Sequence, residues 1–164
     1  MPATIQPDLD WRDGIIPVSR AFDDPYFSLA GGLAETRHVF LQGNRLPDRF
    51  RDGFHIAELG FGTGLNLMAT LLAHTGPGHL HYTSFEAFPM PAQDIARALQ
   101  AFPETTEIAQ PLLIQWSAGQ STLHFPNLTA TIILGDARET LPRWQGQTDA
   151  WFLDGFSPAK NPEL

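Results

Sequence analysis

The densest concentration of chemistry in this 164-residue chain is Phe54-His-Ile-Ala-Glu58-Leu-Gly60-Phe-Gly62-Thr-Gly64. A short apolar run ends in an acid, and three glycines follow at alternate positions before a helix-like segment from Leu65 to Ala73. That order reads as strand, nucleotide-binding loop and helix. In the dinucleotide fingerprint G-x-G-x-x-G, close glycines let the backbone approach a pyrophosphate at a helix N-terminus. Here the pattern is E-x-G-x-G-x-G, and the third glycine arrives one residue early. That form suits S-adenosylmethionine, a cofactor with no phosphate to cradle, and the Glu58 carboxylate suits its positive end.

Three further acids stand where a parallel sheet would place a ligand, outside the carboxyl ends of its strands. Glu86 lies 22 residues beyond Gly64 and closes the next apolar run, where a carboxylate can accept hydrogen bonds from both ribose hydroxyls. Asp136, in Leu134-Gly-Asp136-Ala, is placed to receive an adenine amino group. Asp154 ends Asp149-Ala-Trp-Phe-Leu-Asp154 and opens Asp154-Gly-Phe-Ser-Pro-Ala-Lys-Asn-Pro162. An acid followed by an aromatic, proline-containing loop suits methylation of an amine. A carboxylate that accepts the amine's hydrogen bonds turns its lone pair toward the sulfonium methyl and can take the proton. Phe156 could stack on a base; core packing is its ordinary alternative. Each acid taken singly fits a helix cap as well as a ligand contact, but four in this arrangement favour a site.

The elements that must position these groups alternate from Phe54 onward. Strands are predicted over about 54–59, 79–86, 128–134 and 149–154, with helices over 64–74, 92–101 and 138–144. Pro91 can open the second of these helices and Pro103 ends it. Leu112-Leu-Ile-Gln-Trp116 reads as a strand, and His124 to Pro126 as a turn or strand end. Alternation of this kind predicts an α/β, Rossmann-like fold. Residues 1–50 are irregular and rich in Pro, Asp and Gly. They are read as an N-terminal extension and cofactor lid, with a partial Rossmann-like domain over 51–164. Because Asn161-Pro-Glu-Leu164 follows directly on a buried strand, the domain reads as truncated after its fourth core strand.

Composition narrows the classes. Hydrophobic residues at 43% and charged residues at 17% are ordinary for one globular domain. With no cysteine, disulfides, thiolate metal sites and a cysteine nucleophile are excluded. The six histidines show no ligand spacing, so no metal is expected. No apolar run approaches the roughly 18 residues of a membrane span, and no secretory signal opens the chain, so a cytoplasmic enzyme is the expectation. A net charge of −8 opposes nucleic-acid binding, although six of the ten basic residues precede residue 58 and Lys160 is the chain's single lysine.

Taken together, Pro17-Val-Ser-Arg-Ala-Phe-Asp-Asp-Pro-Tyr-Phe-Ser28, Gly32-Leu-Ala-Glu-Thr-Arg-His-Val-Phe-Leu41, the glycine loop through Asn66, Ser84-Phe-Glu-Ala-Phe-Pro89 and the 149–162 segment resemble one family. It is the methyltransferase domain of the bacterial tRNA 5-methylaminomethyl-2-thiouridine biosynthesis proteins. The resemblance implies methyl transfer from S-adenosylmethionine to the aminomethyl nitrogen of 5-aminomethyl-(2-thio)uridine at the tRNA wobble position. It implies that Asp154 binds the amine. Glu58, Gly60, Gly62, Gly64, Asn66, Glu86 and Asp136 fall on its cofactor pattern. Asp24, Tyr26 and Phe27 fall near its cofactor pocket, Tyr26 as a cofactor contact, and Phe156 and Lys160 are assigned to the substrate. Pro25 and the poorly matching 115–127 segment depart from the family, whose domain runs further. FAD is implied only where an oxidase domain follows. The rival readings are a small-molecule amine methyltransferase of the same fold and a non-catalytic truncated module.

Overall fold

The structure, a computed structural model, describes residues 6–22, 24–27 and 32–153. Two sheets form. Strands β1 (Leu9–Arg12), β2 (Ile16–Ser19) and β3 (Asp24–Pro25) make a small antiparallel meander. The main sheet is built from β4 (His55–Leu59), β5 (Leu80–Glu86), β6 (Thr122–Phe125), β7 (Leu128–Leu134) and β8 (Ala150–Leu153), in the order β6-β7-β5-β4-β8. Strands β7, β5, β4 and β8 run parallel, while β6 is an antiparallel edge joined to β7 by a short turn. This is the α/β, Rossmann-like arrangement. Helices α1 (Gly32–Thr36), α2 (Leu65–Ala73), α3 (Ala92–Leu99), α4 (Thr106–Ser117) and α5 (Ala137–Thr140) connect the strands.

The period-2 rule explains which strand residues meet the helices. Ile56 of β4, Leu80 and Tyr82 of β5, Leu128, Ala130 and Ile132 of β7, and Phe152 of β8 are fully or almost fully buried. They share a core with Leu67 and Met68 of α2, Ile95 and Leu99 of α3, and Leu112 of α4. The alternate residues are more polar: His55, His81, Thr83, Thr129 and Thr131. On this second face Trp144 packs edge-on against His55, Phe85 and Trp151.

One element differs in kind from its prediction. Leu112–Trp116 belongs to helix α4, not to a strand. Five mostly apolar residues in a row look extended when read locally, and Pro111 inside the helix masked its true length. The helical signal was the spacing of Ala109, Leu112 and Trp116, which puts one stripe on the core. The turn or strand end at His124 is the end of β6.

Residues before the main sheet are also more ordered than their composition implies. The meander is fastened to α3 by Arg97. Its guanidinium lies 4.0 Å from the centre of the Trp11 ring, and its Nε donates to the Gly14 carbonyl at 2.8 Å. Phe27 packs edge-on against Phe102, and Phe22 lies against Phe88.

Candidate active site

Strand β4 delivers Glu58 to the carboxyl end of the sheet, and the chain then turns sharply through Gly60, Gly62 and Gly64 into α2. All three glycines have left-handed φ angles, +88°, +56° and +79°. The turn is closed by the Gly64 amide donating to the Phe61 carbonyl at 2.9 Å. Gly62 shows most directly why a side chain is excluded. A Cβ there would lie 3.2 Å from Cδ1 of Tyr26, whose ring covers the loop.

Glu58 is wholly buried. Such a carboxylate must be met by hydrogen-bond donors, and Asn66 and Ser84 are among them. Its Oε2 accepts from Nδ2 of Asn66 at 2.8 Å, and its Oε1 from Oγ of Ser84 at 2.7 Å. The other side of the Asn66 amide, Oδ1, accepts from Oγ1 of Thr36 at 3.0 Å. The structure therefore joins Glu58 and Asn66 in one buried network and adds two residues that sequence reading passed over. Ser84 had a legible signal, since it shares a strand face with Glu86; Thr36 had none in its local sequence.

Glu86 ends β5, 8% exposed. Its Oε1 accepts from the Gly62 amide at 2.9 Å, while Oε2 makes a 3.5 Å contact with the Phe88 amide, at the limit of a hydrogen bond. Burial pushes its carboxyl up to about 7, against the lowering effect of the amides of Gly62, Phe88 and Ala87. Tyr26 stands beside it: burial, and then the Glu86 charge, push its phenol well above the ordinary value. Gly60, Gly62, Gly64, Glu86 and Tyr26 thus surround one corner at the carboxyl ends of β4 and β5.

Asp136 follows β7, further along the same end of the sheet. Its carboxylate caps α5 through the Arg138 amide at 2.9 Å and pairs with the Arg138 guanidinium, Nε to Oδ1 at 3.0 Å and the terminal nitrogen to Oδ2 at 2.6 Å. Those hydrogen bonds, side chain first, hold its carboxyl down to about 2. The structure directs this carboxylate to Arg138. Asp154, Phe156 and Lys160 lie outside the described residues, although β8 runs up to Leu153 beside β4 and so carries the chain to this end of the sheet. Two surface hollows, of about 410 and 510 Å³, lie elsewhere. The first is lined by Arg51, Asp52, His74 and Gly78, at the amino ends of β4 and β5.

The residues present fit S-adenosylmethionine. Three glycines leave the loop backbone open to a ligand, the strand-end carboxylate of Glu86 accepts from the Gly62 amide, and the Tyr26 ring packs on the loop. Fold and loop define the class: a Rossmann-like S-adenosylmethionine-dependent methyltransferase domain. A family described as S-adenosyl-L-methionine-dependent methyltransferase matches residues 103–164. The chain is 47% identical over 176 aligned residues, 95% of its own length, to the tRNA 5-methylaminomethyl-2-thiouridine biosynthesis bifunctional protein MnmC of Aeromonas salmonicida. It is 44% identical, over its full length, to the protein of that name from Pseudomonas fluorescens. Over nearly all of its own length the chain is thus similar to one part of these relatives. It spans about a quarter of the length of these relatives, 26% and 27%. The crystal structure of MNMC2 from Aquifex aeolicus superposes with a TM-score of 0.72 at 28% identity, over 99% of this chain and 54% of that one.

Proposed function

We propose that this domain transfers a methyl group from S-adenosylmethionine to the aminomethyl nitrogen of 5-aminomethyl-(2-thio)uridine at the wobble position of tRNA, in the cytoplasm. The observation that carries the reading is the glycine loop held by the Glu86 carboxylate, in a chain aligned over 95% of its length with relatives named for biosynthesis of that nucleoside. Consistent with it, among the described residues no helix is long and apolar enough to cross a membrane.

The cofactor supplies an electrophilic methyl on a sulfonium centre. Glu86 and the loop backbone from Gly60 to Gly64 would hold the cofactor, the carboxylate by accepting its ribose hydroxyls. Tyr26 keeps water from that corner. Asp136 is the candidate for the adenine amino group, provided Arg138 yields one oxygen. Asp154 accepts the amine's N–H hydrogen bonds, which aims the nitrogen lone pair at the methyl. The Asp154 carboxylate, or solvent, would take the proton that the amine loses on accepting the methyl, with S-adenosylhomocysteine as the leaving product. Phe156 and Lys160 are the candidate contacts to the base and its phosphate.

The test uses methyl-labelled S-adenosylmethionine and tRNA carrying unmethylated 5-aminomethyluridine. Label is expected in the wobble nucleoside. With Asp154→Ala the transfer is expected to disappear while cofactor affinity holds. Label on small amines but not on tRNA would favour the rival reading that the −8 net charge supports. Cofactor binding with no transfer to any amine would leave a non-catalytic module.

A further inference from the structure

We infer that Thr36 and Ser84 are positioning residues for the cofactor loop, acting through Asn66 and Glu58 without touching the ligand. The inference rests on the S-adenosylmethionine reading above. It adds two residues to the site and assigns a task to the segment that precedes the main sheet.

The glycine loop is bracketed by the two interior members of this network. Glu58 stands two residues before Gly60, and Asn66 two residues after Gly64. Their 2.8 Å hydrogen bond therefore ties the loop's incoming strand to its outgoing helix. A loop whose glycines all adopt left-handed φ has little rigidity of its own, so its shape draws on that tie as well as on the Gly62–Glu86 and Gly64–Phe61 hydrogen bonds. The outer members fix the two interior ones. Ser84 sits directly across the β4–β5 ladder from Glu58 and donates to Oε1. Thr36, at the end of α1, donates to Oδ1 of Asn66.

The chemistry at Asn66 is directional. An amide has one oxygen and one NH₂, and Glu58 as a carboxylate only accepts. The NH₂ must therefore face Glu58 and the oxygen must face Thr36. Without a donor at position 36, the Asn66 oxygen loses the Thr36 hydrogen bond inside the core. Turning the amide over would set that oxygen against the Glu58 carboxylate. Thr36, Asn66, Glu58 and Ser84 are all at most 5% exposed, so bulk water offers no substitute. One hydroxyl from α1 and one from β5 thus help to fix how Asn66 and Glu58 hold the loop.

The experiment compares Thr36→Val, Thr36→Ser and Ser84→Ala with the unaltered full chain. S-adenosylmethionine affinity is measured by calorimetric titration and folding by thermal denaturation. Valine matches threonine in shape and removes only the donor. Thr36→Val and Ser84→Ala are each expected to weaken binding about tenfold at a temperature where the protein is fully folded, as loss of a buried hydrogen-bond partner at the site implies. Thr36→Ser keeps the hydroxyl and is expected to bind within about twofold of the unaltered chain. In turnover with tRNA, the loss should fall on the KM for S-adenosylmethionine and leave kcat unchanged. Valine and alanine variants that bind as well as the unaltered chain would overturn the inference alone. So would variants that lose their fold outright, because the hydroxyls would then serve the core. An unaltered chain that does not bind S-adenosylmethionine would overturn the functional reading and this inference together.

Discussion

Glu86→Gln separates what the site needs from what the fold prefers. In the unfolded chain this carboxyl titrates near 4.5, and burial lifts it to about 7 in the folded protein. The folded state therefore binds the proton more tightly. Its contribution to stability is fully present below pH 4.5 and is lost progressively as pH rises to about 7, after which the loss is constant. Each pH unit across that window costs about 1.4 kcal/mol, so an ionised Glu86 destabilises the protein by about 3 kcal/mol at pH 8. Glutamine carries no charge, and its carbonyl oxygen can still accept the Gly62 amide. Glu86→Gln should therefore be more stable than the unaltered chain at pH 8, by up to about 3 kcal/mol, and no more stable at pH 4.5. S-adenosylmethionine binding should move the other way. On the proposed role of Glu86, the amide removes the anionic acceptor for the ribose hydroxyls, so affinity should fall about tenfold or more.

The assay is a set of urea denaturation curves for both proteins at pH 4.5, 6, 7 and 8, paired with cofactor titrations. A stability difference that does not change with pH would refute the linkage. A glutamine variant less stable at pH 8 would show that the carboxylate is stabilised by its donors, not strained by burial. The unaltered protein carries its own check: its cofactor affinity should rise through pH 7, because the ionised carboxylate is the form that binds.

Two other substitutions probe opposite ends of the sheet. Gly62→Ala places a Cβ 3.2 Å from the Tyr26 ring at a φ of +56°; it should cost about 1–2 kcal/mol in urea denaturation and weaken the cofactor at least about tenfold. Asp149→Ala removes the acceptor of the His55 amide at 2.9 Å and of Arg51 at 3.0 Å, which together fasten the start of β8 to β4; a loss of about 1–2 kcal/mol is expected, with cofactor affinity unchanged. The His55 amide, and then Arg51, hold the Asp149 carboxyl below its ordinary 3.8. The stability it contributes is therefore present above that value and lost as pH falls below it, a separate acid limb in the same denaturation series.

What could be read in the sequence follows from the range of the forces involved. Strand β7 was expected at Leu128–Leu134 and found there, since a period-2 pattern flanked by turn residues is a local signal. The glycine loop and Glu86 were legible because their spacing along the chain encodes one strand–turn–helix unit and its neighbour. Helix α4 was not, because Pro111 contradicts a helix locally while packing of Leu112 against the sheet decides the matter. Thr36 escaped for a stronger reason. Its partner is 30 residues away, and a lone threonine at the end of a short helix carries no pattern that names it.

The segment before the main sheet matters more than its composition implies, because it makes two unlike contacts with the same loop. Tyr26 covers Gly62 from outside and lies beside Glu86, whereas Thr36 reaches Asn66 inside the core. The first is a ring packed on the loop; the second is a hydrogen bond within the buried network. Between them, Phe27 packs on Phe102, and further out Arg97 holds Trp11. Phe27 and Arg97 thus anchor the segment that brings both contacts to the loop.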